Sequence, residues 1–135
     1  MTQDHGQTIL AANQALFVDG DLDAVERHFD PTYHVHLTDR DLAGGHDLVR
    51  KGVGMVRRAF PELAVEVEVL VEAGDRVAWQ RTLRCVQRGP YAGFPASDRE
   101  VVWRDMVTSV FRDGRIAEEW IVSDLAEQLL TSRKR

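Results

Sequence analysis

The apolar residues of this 135-residue chain change their spacing at Pro61, and that change constrains the fold more than any other feature. Before it, most runs carry hydrophobic side chains three or four residues apart, as a helix needs; after it they alternate, as a strand needs. Thr8 to Val18 sets Ile9, Ala12, Leu16 and Phe17 on one helical face that stops at Asp19-Gly20. Asp21 can cap a short second helix through Phe29, with Leu22, Val25 and Phe29 inward, and Asp30-Pro31 ends it. A third helix runs from His46 to Phe60, with Leu48, Gly52, Met55, Val56, Ala59 and Phe60 as its stripe. Between the second and third helices, Tyr33 to Leu37 alternates as a short strand, with His34 and His36 on its other face, followed by a polar loop from Thr38 to Gly45.

Beyond Pro61 the chain reads as sheet. Ala64 to Glu72 alternates valines with mostly acidic residues, and Arg76 to Gln87 and Glu100 to Phe111 are long strand patterns. A Gly, Pro and Tyr-rich loop, Arg88 to Arg99, joins the last two. Asp113-Gly114 is a two-residue hairpin signal, because both central positions of such a turn need positive φ. Ile116 to Val122 returns as the final strand, and Leu125 to Leu130 closes the chain as a helix. Helices first and meandering strands afterwards predict one α+β domain over residues 1–135, with three N-terminal helices across the concave side of a curved, mostly antiparallel sheet. Such a cone encloses a pocket lined by both layers.

With 44% hydrophobic and 29% charged residues, the chain can bury a single core. Its net charge of -5 argues against nucleic acid, and the basic run Arg133-Lys134-Arg135 is expected to be a soluble end. No basic start with an apolar run and no apolar stretch of about 20 residues is present, so a cytoplasmic protein without a membrane partner is expected. Cys85 is the lone cysteine and sits in a strand pattern as a buried thiol. The alternating valines and the strands after them are more apolar than one core face needs, which predicts a homodimer through the sheet.

On a regular strand Trp120, Val122 and Asp124 share one face, so Asp124 is an acid delivered at the end of an otherwise apolar row. In a pocket it is the first catalytic candidate; at the rim it caps the closing helix. Asp105, on the strand face of Trp103 and Val107, is the second interior acid, and Arg81 or Arg104 can pair with it. If both acids face the cavity, one charged and one neutral carboxyl also suit water activation on an epoxide. Trp79, Trp103, Trp120, Phe17, Met55 and Phe60 can line a site for a flat apolar ligand, or simply form core, and Tyr91 or Phe94 on the glycine-rich loop can touch it. His34 and His36 share a face, yet no Glu or third His stands at a recognisable spacing, so no metal is expected. Phosphate loops and serine-hydrolase motifs are missing too.

The order and spacing of Tyr33-His34-Val35-His36, Arg58-Ala59-Phe60-Pro61-Glu62-Leu63, Gly74-Asp75-Arg76-Val77-Ala78-Trp79, and Asp113 to Trp120 followed by Asp124 resemble the SnoaL-like polyketide cyclase family of the nuclear transport factor 2-like, ketosteroid isomerase-like superfamily. The resemblance covers nearly the whole chain. It implies a cone-shaped α+β barrel and intramolecular aldol closure of an aromatic polyketide without cofactor or metal, as in antibiotic biosynthesis. It also implies Asp124 as acid/base and His36 as the matching histidine. One departure is Gln87, where the family often has histidine. The expected function is therefore a cofactor-independent cyclase or related tailoring enzyme. A hydrolase or hydroxylase-like variant using Asp105 and Asp124 is one alternative, and a non-catalytic ligand-binding or assembly domain another.

Overall fold

The hairpin at Asp113-Gly114 organises the domain. In the computed structural model, which describes residues 4–132, both turn residues take positive φ, 52° and 79°. The turn joins β5 (Glu100–Arg112) to β6 (Arg115–Ser123). With β1 (Phe29–His36), β2 (Asp41–Ala43), β3 (Ala64–Ala73) and β4 (Arg76–Val86) they form one sheet in the order β2-β1-β6-β5-β4-β3. Only β1 and β6 pair in parallel, so the sheet is mixed, mostly antiparallel and open. The helices are α1 (His5–Asn13), α2 (Ala24–His28), α3 (Gly45–Ala59) and α4 (Leu125–Ser132). The expected α+β architecture and its cone-shaped fold are observed.

Several local expectations change. The first helix does not run on as a regular α-helix: Gln14–Val18 is a π-helical turn in which Asp19 N donates to Gln14 O. Leu16 and Phe17 on this turn line the interior, and Asn13, at the junction, is buried. The second helix ends one residue earlier than expected, because Phe29 is already extended and opens β1. Asp41–Ala43, expected as loop, adds a short edge strand. In α3 the buried residues are Val49, Val53 and Ala59, whereas Met55 is exposed. Helical rotation decides this, since Met55 lies on the far side from Val49 and Val53.

The core forms two clusters, one around Ile9, Val25, Tyr33, Val77 and Trp79, the other around Phe60, Leu83, Trp103 and Leu129, with Phe17 touching both. Buried Cys85 belongs to the second, as expected for an inert thiol. In β3, Val67 and Val69 pack on the core and Glu66 and Glu68 are exposed. The outer face is apolar elsewhere, at exposed Met106, Trp120 and Val122 of β5 and β6. Among the described residues no helix is long and apolar enough to cross a membrane. The basic run Arg133-Lys134-Arg135 lies outside the described residues.

Candidate active site

One residue decides which acids face the interior. Arg112 pairs with Arg115 and Phe111 with Ile116, but Val110 then pairs with Glu118, leaving Ala117 as an extra residue in β6. Ile116 and Ala117 are both buried across this bulge, and from Glu118 onward every side chain has changed face. Without it, Trp120 would stand opposite Val107, inside. With it, Ser109 faces Glu119, Val107 faces Ile121 and Asp105 faces Ser123.

The expectation that Trp120 and Asp124 wall the pocket is therefore corrected: Trp120 is exposed on the outer face and neither residue lines the cavity. Asp124 instead joins α4 to β5. Its Oδ1 accepts from Arg104 N at 2.8 Å, its Oδ2 from the Gln128 amide at 3.2 Å, and its carbonyl takes the first helical bond, from Gln128 N. His36 is also on the outer face, stacked on Trp120 with ring centroids 4.7 Å apart. Its nitrogens meet Asp41 Oδ1 at 2.8 Å and Glu118 Oε2 at 2.6 Å. These two carboxylates, Glu118 first, raise the His36 pKa, and His36 in turn lowers that of Glu118.

The interior holds a cavity of about 410 Å³ between the helices and β1, β4, β5 and β6. Its walls are mostly apolar, including Leu16, Phe17, Leu48, Val53, Leu83, Trp103 and Leu129; exposed Thr38, Asp39 and Ala92 mark its mouth. Of the residues expected to touch ligand, Phe17, Arg81, Tyr91, Phe94 and Trp103 line it. Trp79 and Phe60 do not: Trp79 lies in the core with Nε1 donating to Ser109 Oγ at 2.9 Å, and Phe60 packs behind Trp103 at 4.6 Å.

Besides Asp39 at the mouth, two buried carboxyls, Asp105 and Glu119, line this cavity. Asp105 is 6% exposed; its Oδ2 accepts from Arg81 Nε at 2.7 Å, whereas its buried Oδ1 has no hydrogen-bond partner. Arg81 also donates to Asn13 Oδ1 at 3.0 Å and lies over the rings of Phe17 and Trp79. Glu119 accepts from Tyr33 Oη at 2.7 Å and from Ser109 Oγ at 2.5 Å. Burial raises its pKa, opposed by those two hydrogen bonds and the charge of Arg81. The buried part of the site therefore carries one cation, Arg81, and two acids, Asp105 and Glu119, in contrasting surroundings. Burial, then the nearby charge of Asp105, raises the Tyr91 pKa, so that phenol keeps its proton.

Glu119 is the site residue that strand parity alone conceals; Tyr33, Ser109 and Asn13 join the site through their hydrogen bonds to Glu119 and Arg81. Pairing the Asp113-Gly114 hairpin around the buried pair Ile116 and Ala117 is the signal that finds Glu119. Gln87 is not in the cavity. It is fully buried, and its amide donates to Gly89 O at 3.0 Å and Phe94 O at 3.3 Å, fixing the loop that brings Tyr91 and Phe94 to the site. Gly89 itself lies against α3, where a Cβ would come within 2.8 Å of Arg58 O.

The fold agrees with the comparisons. The family model for SnoaL-like polyketide cyclases matches residues 7–130. Among solved structures, IdmH from Streptomyces antibioticus, provisionally described as a polyketide cyclase, is 24% identical, with a TM-score of 0.82 over 98% of this chain and 99% of that one. A SnoaL-like protein from Jannaschia sp. CCS1, with the same provisional description, is 27% identical, with a TM-score of 0.80 over 91% of this chain and 87% of its own. AclR from Streptomyces galilaeus, provisionally described as a hydroxylase, is 26% identical, with a TM-score of 0.80 over 97% and 96%. Curated proteins give no significant match. The fold, the matched length and these relatives together place the chain in the SnoaL-like polyketide cyclase family of the nuclear transport factor 2-like superfamily.

Proposed function

We propose that the protein is a polyketide cyclase-type enzyme in which Asp105, rather than Asp124, is the catalytic base. The observation that carries this reading is that Asp105 lines an apolar cavity with one carboxylate oxygen held by Arg81 and the other, the buried Oδ1, without a hydrogen-bond partner. A buried polar atom without a partner costs stability, and a substrate C–H next to a carbonyl is the group that such an oxygen can accept from. Asp105 takes that proton and the C–H electrons form the enolate. The enolate carbon then attacks a second carbonyl of the same molecule, forming the new C–C bond. The Tyr91 phenol donates to the developing alkoxide, and the proton on Asp105 restores the phenol. Arg81 acts as a positioning residue that holds the Asp105 carboxylate at the cavity wall. Apolar walls suit an aromatic polyketide-like substrate.

A second reading, water addition to an epoxide, is supported by the Asn13–Arg81–Asp105 cluster, which can orient a water at Oδ1. Its second carboxyl is Glu119, not Asp124. Incubation with an aryl diketone ester in H₂¹⁸O separates the two. Cyclisation gives a product of unchanged mass with a new carbinol carbon by NMR; an aryl epoxide converted to a labelled diol while the diketone is untouched would replace the first reading with the second.

A further inference from the structure

The outer face carries a cluster that the cavity chemistry does not use. His34 and His36 alternate on the outer face of β1, and the parallel pairing of β1 with β6 sets Glu118 opposite His34. Glu118 Oε2 lies 2.9 Å from His34 Nε2 and 2.6 Å from His36 Nε2, and all three atoms fall within 4.8 Å of one another. The third donor is invisible in sequence, because 82 positions separate Glu118 from His36 and the Ala117 bulge decides its face.

We propose that His34, His36 and Glu118 form a binding site for a borderline divalent cation, zinc being the best match. Two imidazole nitrogens and one carboxylate oxygen are the donor set such ions take, with remaining positions left to water. Metal–donor bonds of about 2.0–2.1 Å place neighbouring donors about 3.3 Å apart, so less than about 1 Å of side-chain movement opens the cluster around an ion. His36 is already oriented for this. Asp41 Oδ1 stands 2.8 Å from Nδ1, which fixes the proton there and leaves the Nε2 lone pair for the metal. Trp120 stacks on the same ring and holds its plane.

The contacts of His36 also show why a cation, proton or metal, belongs here. Neutral His36 has one N–H for two carboxylates, so its Nε2 lone pair would face the lone pairs of Glu118 Oε2, and the two repel unless a proton or a metal lies between them. The strands hold the backbone of all three donors in register, which lowers the ordering cost of binding. A solvated His–Glu ion pair is the competing arrangement, and it needs protonated histidine.

The test uses the full chain, stripped with EDTA and dialysed, at about pH 8, where protons compete less with zinc for the imidazole nitrogens. Zinc is titrated in competition with a chromophoric chelator, and cobalt(II) in a parallel titration is followed by its visible absorption. The expected result is one equivalent of zinc per chain and a cobalt spectrum of low coordination number. Glu118→Gln and His34→Ala should each weaken zinc at least about tenfold, Asp41→Asn by a similar factor through the His36 ring, and exposed Asp47→Asn not at all. Thermal melts with and without zinc check that each variant folds, and only the wild type and Asp47→Asn should gain stability from the metal. Zinc binding that is undetectable, or unchanged in both Glu118→Gln and His34→Ala, would overturn the proposal.

Discussion

Ser109 and Glu119 face one another across the β5–β6 ladder, with Ser109 Oγ 2.5 Å from the Glu119 carboxylate, because Ala117 is one residue too many for a regular hairpin. That contact places an acid against the cavity and sends Trp120 to the outer face.

The buried position of Glu119 makes its effect on stability depend on pH. In the unfolded chain it titrates near 4.5, and burial raises it in the fold. Between those values the folded protein binds more protons than the unfolded one, so stability falls as pH rises through that window and is level above it. Glu119→Gln lacks this loss. Urea melts from about pH 4 to about pH 8 should show the variant gaining on the wild type as pH rises, and a constant difference would contradict the burial effect.

Asp124 acts as a tether in this structure, bonding Arg104 N and the Gln128 side chain. Asp124→Ala should cost about 1 kcal/mol in urea unfolding, the usual loss for a helix-end acceptor. Asp124→Asn should leave turnover unchanged, and its loss in a folded variant would return Asp124 to the mechanism.

Gln87 acts through the loop it pins. Gln87→Ala strands the carbonyl of Gly89 and removes one of the donors to that of Phe94, and should cost about 1–3 kcal/mol, with faster amide exchange across residues 88–99 than elsewhere. Uniform exchange across the chain would show that the loop is held by other contacts.

Much of the fold was legible in the sequence because it rests on short-range rules. Pro61 stops α3, Asp113-Gly114 makes the turn, and alternating valines make β3. Asp105 was legible too, since its strand is regular and shares its parity with Trp103 and Val107. What failed was β6, where one bulge inverts the six positions from Glu118 to Ser123, Glu119 and Trp120 among them. The three metal-site donors likewise depend on a parallel pairing between distant strands. Met55 was misplaced for a smaller reason, a helix stripe drawn one position off Val49 and Val53.

The outer sheet face is proposed as the contact between two copies of the chain. Exposed Met106, Trp120 and Val122 form its apolar part. Sedimentation at micromolar concentration should give twice the chain mass, and Val122→Glu should shift the species to a monomer; a wild-type monomer at that concentration would exclude this contact.

Asp105 as the base is the central claim, and enolisation tests it without the natural substrate. The α-protons of an aryl diketone in D₂O should exchange faster with the wild type than in buffer, followed by NMR. Asp105→Asn, checked by urea melting for a retained fold, should lose about 10²–10⁴ of that acceleration. Equal exchange rates for wild type and a folded Asp105→Asn protein would contradict the account.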